Sequence, residues 1–236
     1  MIRRQIPNFI TLGNLFCGTE SLFASLVAGD VVAAAIWICA GIFLDFFDGL
    51  ATRLLGVPSE LGKQLDSLAD VVTSGVAPAF IMYRLVEVPL KETCPLWVVV
   101  LCMLPFLLMP LFAAYRLAKF NIDTRQSHSF LGLPVPANAL IWVGLALSDT
   151  AATNLTLGIV MAVVALAVDV LMVSEVPMFS LKFNFKDMSW RSNSIQYLFL
   201  IGCVALVAVT RQWYAISLII LWYVVLSLIA QRRHAE

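Results

Sequence analysis

Four aspartates with helical spacing are the residues of this chain best suited to chemistry. Asp45 and Asp48 lie three residues apart, and Asp66 and Asp70 lie four residues apart. Residues spaced in this way share one face of an α-helix. Four carboxylates brought together repel one another unless cations neutralise them. Because neither histidine nor cysteine occurs between them, the cluster suits a hard divalent ion, Mg²⁺ or Mn²⁺, better than zinc or copper.

Glycine and arginine at the same spacing add the features of a phosphate site. Asp45, Gly49 and Arg53 follow one another every four residues along one helix stripe. Gly49 leaves the backbone open to a ligand, and Arg53 offers a bidentate donor one turn further on. Gly62 precedes the second aspartate pair with the same spacing. Metal ions that bridge diphosphate oxygens beside a guanidinium would stabilise the charge that develops in phosphoryl transfer.

Apolar segments must position these residues in a membrane. The chain of 236 residues is 61% hydrophobic and 13% charged, with a mean hydropathy of +0.92. We therefore predict an all-α polytopic membrane protein with about eight transmembrane helices. Windows that can cross a bilayer of ~30 Å, and two shorter ones, lie at residues 9–28, 31–54, 67–86, 95–117, 133–149, 154–174, 195–210 and 213–230. The last two form a hairpin around Arg211 and Gln212, and are either spanning or partly interfacial.

The predicted connections bring the aspartate pairs together. Residues 29–30 form a short turn on one side, residues 56–62 a loop rich in glycine and proline on the other, and residues 87–95 a longer loop. Because the 56–62 loop is short, the second and third helices are antiparallel neighbours, and the two pairs face each other. The longest polar stretch, residues 174–194, fits an interfacial segment and a solvated connector equally well.

The distribution of basic residues predicts the orientation. If the N-terminus is cytoplasmic, twelve of the 15 lysines and arginines lie on the cytoplasmic side, and Arg84, Lys91 and Arg211 lie outside. This positive-inside asymmetry favours an even number of crossings with both termini cytoplasmic. We therefore expect the aspartate cluster to face the cytoplasm.

Composition excludes several other classes of protein. The formal net charge is zero, which gives no reason to expect nucleic acid as a partner. The five cysteines have no metal-ligand spacing and do not indicate a disulfide framework. His128 and His234 are expected to be ordinary surface residues. The first apolar segment is predicted to be a retained span, because no small-residue cleavage site follows it cleanly.

The second and third segments carry a pattern that resembles the CDP-alcohol phosphotransferase signature: Asp45-x2-Asp48-Gly49-x3-Arg53-x8-Gly62-x3-Asp66-x3-Asp70. In that family an alanine normally precedes the arginine, and here the position is Thr52. The resemblance implies a donor that is a CDP-linked lipid, with CMP as the leaving group. It also implies two divalent ions held by the four aspartates, with Asp45 and Asp66 bridging and Asp70 accepting the proton of the attacking hydroxyl. The implied CDP-lipid contacts are Asn8, Phe9, Ile10, Thr11, Gly49, Thr52, Arg53, Ser59 and Gly62.

Within that family the chain is most like the bacterial integral-membrane phosphatidylserine synthases, and the likeness extends over about the first 137 residues. It is carried by residues 6–18, 43–49 with 62–70, and 116–121 with 132–137. The resemblance implies CDP-diacylglycerol and L-serine as substrates, surrounding membrane lipids, a homodimer, and a place in the inner (cytoplasmic) membrane. A single membrane domain, residues 1–236, would comprise a core of about 1–175 and an additional helix hairpin of about 195–230.

The acceptor is the open part of this prediction. Arg116, Lys119 and Asn121 are candidate acceptor contacts, and positive-inside anchoring is an alternative reading of Arg116 and Lys119. The same donor could serve glycerol 3-phosphate, inositol or inositol phosphate, and a phosphorylated acceptor should need additional basic residues near the site. A cation carrier is a more distant alternative, because a cation path needs neither the glycines nor the arginine.

Overall fold

The computed structural model describes residues 3, 5–122, 130–148, 150–151, 154–179 and 190–235. Eight helices form the described part of the chain, as predicted: α1 (Ile6–Ala28), α2 (Val31–Leu55), α3 (Glu60–Lys91), α4 (Leu96–Ile122), α5 (Val135–Leu147), α6 (Leu155–Val173), α7 (Trp190–Thr210) and α8 (Ala215–Ala235). α1, α2, α3, α4, α6 and residues Asn193–Thr210 of α7 are long and apolar enough to cross a membrane. The prediction of an all-α polytopic membrane protein is confirmed.

The structure corrects the boundaries of α3. The helix begins at Glu60, not near residue 67, because Ser59 caps it: the Ser59 hydroxyl accepts a hydrogen bond of 3.0 Å from the Gly62 amide. The predicted loop 56–62 therefore reduces to residues 56–59, beginning at Gly56 with a φ of 63°. The predicted loop 87–95 is also too long, because α3 continues to Lys91. The first turn of α3 is polar, so a hydropathy window does not include it. The capping residue Ser59 marks the start of the helix correctly.

Two short turns agree with the sequence prediction. Gly29, with a φ of 71°, ends α1, and the Asp30 carboxylate caps α2 by accepting from the Ala33 amide at 2.8 Å. Arg211 has a φ of 50° between α7 and α8. We call the end of the bundle where α2 ends and α3 begins the motif end.

α1, α2 and α3 approach one another closely through small residues. A Cβ on Gly18 of α1 would lie 2.5 Å from the Thr73 hydroxyl of α3, and a Cβ on Gly41 of α2 would lie 2.5 Å from the Thr73 methyl group. Small residues let membrane helices pack at short range. Thr73 belongs to a π-helical segment, Val71–Val76, that directly follows Asp70; π-helical turns are frequent at functional sites.

A short connection joins the second half of the bundle at the motif end. The two-residue strands β1 (Phe130–Leu131) and β2 (Pro177–Met178) pair antiparallel. Gly132, with a φ of 72°, donates its backbone N–H to the Val176 carbonyl at 2.9 Å. Phe106 of α4 and Trp142 of α5 are fully buried and meet edge to face. The end of α6 is therefore held against the segment that enters α5.

Some predictions fall on residues that the structure does not describe. The polar stretch 174–194 is described only at its two ends, and Arg4, Arg125, His128, Lys182 and Lys186 lie outside the described residues. The same holds for the side chains of Arg191, Arg232, Arg233 and His234. The orientation of the termini stays a prediction.

Candidate active site

Three of the four aspartates meet at the motif end. Asp45 and Asp48 of α2 and Asp66 of α3 place carboxylate oxygens within 4.8 Å of one another. The expectation that the two pairs face each other across the α2–α3 interface is thus met for these three residues. Oδ1 of Asp66 is buried and has no hydrogen-bond partner among the described residues. A buried carboxylate oxygen left unpaired beside two further carboxylates, with only oxygen donors present, fits a hard divalent cation.

Asp70 lies one helical turn further along α3. Its side chain is only 7% exposed, and its carboxylate is not among the three whose oxygens lie together. Oδ1 of Asp70 accepts a hydrogen bond of 3.1 Å from the side-chain amide of Asn14, a residue of α1. The Arg116 guanidinium of α4 interacts electrostatically with the same carboxylate. Asp70 is therefore placed between the acidic cluster and α4.

Thr11 of α1 orients the second aspartate of α2. Its hydroxyl hydrogen-bonds the Asp48 carboxylate and lies 3.0 Å from the Pro7 carbonyl oxygen of its own helix. Thr11 is 2% exposed and Asp48 is 5% exposed, so the pair is buried together. Thr11 was predicted to contact the CDP-lipid; in the structure its hydroxyl is engaged by Asp48 while the residue also lines the adjoining cavity.

A cavity of about 260 Å³ opens beside the acidic cluster. Seven of the nine predicted CDP-lipid contacts line it: Asn8, Thr11, Gly49, Thr52, Arg53, Ser59 and Gly62. Asp48, Asp66 and Lys63 also contribute to its wall. Phe9 and Ile10 do not line this cavity, and the Phe9 side chain is 70% exposed.

The cavity wall contains hydrogen-bond donors and two glycines at which a ligand can come close to the backbone. A Cβ on Gly49 would lie 3.7 Å from a terminal nitrogen of Arg53, so this guanidinium lies directly over the glycine. A Cβ on Gly62 would lie 2.9 Å from the Ser59 hydroxyl and 3.2 Å from the Asn8 amide oxygen. An anionic group in the cavity would thus meet a guanidinium and hydroxyl donors on one side and the carboxylates on the other. This distribution of charge suits a diphosphate bound together with divalent ions.

The three candidate acceptor contacts on α4 have different surroundings. Arg116 is 8% exposed, and its Nε has no hydrogen-bond partner in the described part of the chain. Lys119 instead forms an ion pair of 3.3 Å with Glu175. The side-chain amide of Asn121 donates to the Ser67 hydroxyl at 2.8 Å, and the backbone carbonyl of Asn121 accepts a hydrogen bond of 2.6 Å from the Lys63 ammonium. Only Arg116 combines burial, an open donor and proximity to Asp70, whereas Asn121 ties α4 to α3.

Sequence reasoning missed two buried polar residues of the site. Asn14 and Thr73 are both fully buried, and Thr73 donates its hydroxyl to the Asn14 carbonyl oxygen at 3.0 Å. Asn14 follows Thr11 by three residues in a helix that is mostly apolar, and this spacing was the available signal. Asp169 of α6 was also not singled out; it is fully buried, and neither of its carboxylate oxygens has a hydrogen-bond partner among the described residues.

Comparison with known proteins identifies relatives of the chain. The sequence model of the CDP-alcohol phosphatidyltransferase family matches residues 4–174. The chain is 40% identical over 131 residues to a CDP-diacylglycerol–serine O-phosphatidyltransferase of Bacillus subtilis, covering 56% of this chain and 69% of that protein. Proteins of the same name from Helicobacter pylori (strain J99) and Methanocaldococcus jannaschii are 37% and 32% identical over 145 and 139 residues. These alignments cover 61% and 59% of this chain, but only 57% and 59% of the two relatives' own lengths.

Proposed function

Since the chain belongs to the CDP-alcohol phosphatidyltransferase family, we propose that it transfers the phosphatidyl group of CDP-diacylglycerol to the hydroxyl of L-serine, yielding phosphatidylserine and CMP. The observation that carries the proposal is the group of Asp45, Asp48 and Asp66 beside a cavity lined by Arg53 and Gly49. The names of the relatives support the choice of serine as acceptor. The division of the chain into a catalytic core of about 1–175 and a hairpin of about 195–230 belongs to the same proposal.

The cavity binds the diphosphate of the donor. Arg53 donates to its oxygens, and Gly49 allows them to approach the α2 backbone. Asp45, Asp48, Asp66 and Asp70 would hold two divalent ions, Mg²⁺ or Mn²⁺, with Asp45 and Asp66 the ligands that the family resemblance implies are shared. When bound, these ions supply Lewis-acid stabilisation of the charge on the diphosphate. Thr11 keeps the Asp48 carboxylate oriented for this task.

Asp70 accepts the proton of the serine hydroxyl. The hydroxyl oxygen forms a new bond to the phosphorus that carries the diacylglycerol, and the bond from this phosphorus to the oxygen bridging the two phosphates breaks. CMP leaves with the electron pair of that bond. A carboxylate is a weak base for an alcohol, so the transfer to Asp70 occurs late, when the new bond to phosphorus has acidified the hydroxyl.

Arg116 anchors the serine carboxylate. Arg116 is buried, its Nε has no hydrogen-bond partner among the described residues, and it interacts electrostatically with Asp70, which supports placing the serine carboxylate at Arg116 and the serine hydroxyl at Asp70. A phosphorylated acceptor would require further free cations at this position. The described neighbours do not favour that alternative, because Lys119 is paired with Glu175 and Lys63 is bonded to the Asn121 carbonyl. The distribution of basic residues supports a site on the cytoplasmic side of the membrane, and the family resemblance supports the inner membrane and a homodimer.

Release of CMP by the purified protein tests the proposal. The full chain in detergent would receive CDP-diacylglycerol, Mg²⁺ and one acceptor at a time: L-serine, glycerol 3-phosphate, inositol or inositol phosphate. We expect CMP and a new phospholipid with serine alone. Preferential turnover of another acceptor would contradict the choice of serine, and absence of CMP release with every acceptor would contradict the reaction.

The aspartate variants test the chemistry. Asp70→Asn is expected to lower kcat by more than about 100-fold, because it removes the proton acceptor. Asp30→Asn is the matched control, since Asp30 caps α2 at the opposite end and asparagine caps equally well. Equal activity of the two variants would show that Asp70 does not take part in the reaction.

A further inference from the structure

One polar stripe of α1 holds an aspartate from each of the two acidic helices. Thr11 hydrogen-bonds Asp48 of α2, and Asn14, three residues further along, hydrogen-bonds Asp70 of α3. Residues three apart share one helix face. Although α1 contributes no aspartate of its own, it contacts both acidic helices at the level of their carboxylates.

Asn14 is held firmly from three sides. It is fully buried, and its backbone carbonyl accepts the Thr73 hydroxyl at 3.0 Å. A Cβ on Gly41 would lie 2.9 Å from the Asn14 amide oxygen, and a Cβ on Gly18 would lie 2.5 Å from the Thr73 hydroxyl. The side-chain amide therefore has little space in which to move. Its hydrogen bond to Asp70 is fixed by packing as well as by charge.

The orientation of the amide follows from the same contacts. Its nitrogen lies 3.1 Å from Oδ1 of Asp70, and an N–H donor to a carboxylate is more stable than a neutral pair. The reversed amide would bring its oxygen against the carboxylate, where the two oxygens repel each other. Oδ2 of Asp70 has no hydrogen-bond partner within the described part of the chain. Asn14 thus fixes one carboxylate oxygen and leaves the other available.

We propose that Asn14, supported by Thr73, is a positioning residue that holds Oδ1 of Asp70 so that Oδ2 is presented to the acceptor hydroxyl. The inference rests on the proposed function, in which Asp70 accepts the proton of that hydroxyl. A carboxylate without this hydrogen bond rotates about its terminal torsion, which is broad for aspartate. Loss of the bond therefore lowers the fraction of bound complexes in which the base is aligned, and alignment contributes strongly to rate.

The expected kinetic result separates positioning from a purely structural contribution. Asn14→Ala should lower kcat for CMP release by about 10- to 100-fold, while the KM values for CDP-diacylglycerol and serine stay within about threefold of wild type. Asn138→Ala is the matched control. Asn138 is also fully buried, but its hydrogen bonds are to Trp142 and Met172 and neither involves a carboxylate. This control should lose thermal stability without a loss of kcat per folded molecule.

Thr73 provides a second test that does not depend on the folding of Asn14→Ala. Thr73→Val removes the hydroxyl that holds the Asn14 carbonyl, and Thr73→Ser keeps it. We expect a fall in kcat of about 3- to 10-fold for the valine variant and near-complete rescue by the serine variant. Equal kcat for the valine and serine variants would overturn the inference. A kcat of Asn14→Ala within twofold of the wild-type value would overturn it too. Parallel losses of activity and stability in Asn14→Ala and Asn138→Ala would also overturn it. Failure of the proposed function is distinguishable, because it would appear as absent CMP release in the wild-type protein.

Discussion

Arg116 offers a quantitative test of acceptor binding. Arg116→Gln keeps a side chain of similar reach and removes the positive charge. Because Arg116 is 8% exposed, the lost interaction with a carboxylate is little weakened by solvent. No acidic side chain in the described part of the chain forms a close ion pair with it, and its interaction with Asp70 is electrostatic without direct pairing, so a ligand carboxylate can still bind the guanidinium. A hydrogen bond to a charged group contributes about 1.5–3 kcal/mol, which corresponds to a rise of about 10- to 150-fold in the KM for serine.

Steady-state kinetics with each substrate varied in turn provide the assay. Serine is varied at saturating CDP-diacylglycerol, and CDP-diacylglycerol is varied at saturating serine; only the KM for serine should rise. Lys119→Gln is the matched control on the same helix. Its ion pair with Glu175 is partly exposed and contributes at most about 1 kcal/mol, so its KM for serine should change less than about fivefold. An unchanged KM for serine in Arg116→Gln, or an equal rise in both KM values, would refute the assignment.

Two further results follow from the connection at the motif end and from the acidic cluster. Gly132→Ala should lower the free energy of unfolding by more than about 2 kcal/mol, because its φ is 72° and its Cβ would lie 2.4 Å from the Met172 carbonyl oxygen. Gly56→Ala, also at positive φ but with no atom within 4 Å of its Cβ, should lose only about 1 kcal/mol; equal melting temperatures for the two variants would contradict the role of the close contact. Chelation with EDTA should abolish CMP release and added Mg²⁺ or Mn²⁺ should restore it, whereas full activity in EDTA would argue against a metal at Asp45, Asp48 and Asp66.

The apolar windows predicted the helices well because the interior of a membrane selects strongly for them. Each of the eight predicted windows corresponds to a helix, and the hairpin turn at Arg211 lies where it was expected. The error at the start of α3 has a local cause. Glu60 and Lys63 make the first turn polar, so hydropathy excluded it, although Ser59 followed by Gly62 and the acidic Glu60 favour a capped helix. The capping residues therefore locate the start of α3 better than hydropathy does.

The sequence predicted those site residues that share a helix face or lie on two helices joined by a short turn. Asp45, Asp48 and Asp66 come together because a short turn joins two helices with regular motifs. The bond between Asn14 and Asp70 joins residues 56 positions apart, and no periodicity within α1 identifies its partner. Lys119 and Asn121 look alike in sequence as polar residues at the end of α4. Only the fold shows that Glu175 and Ser67 already engage them.

Different helices supply the carboxylates and the proposed acceptor contact. The carboxylates and the cavity are built from α1, α2 and α3, whereas Arg116, which interacts electrostatically with Asp70, belongs to α4. The end of α4 is fixed to α3 through Lys63, Ser67 and Asn121, and the end of α6 is fixed to the chain entering α5 at Gly132. Under the proposed function, the signature on α2 and α3 would define the donor chemistry, and a residue of α4, a helix outside the signature, would contact the acceptor. A substitution on α4 that leaves Arg116 in place would then be expected to alter the choice of acceptor more than the reaction of the donor.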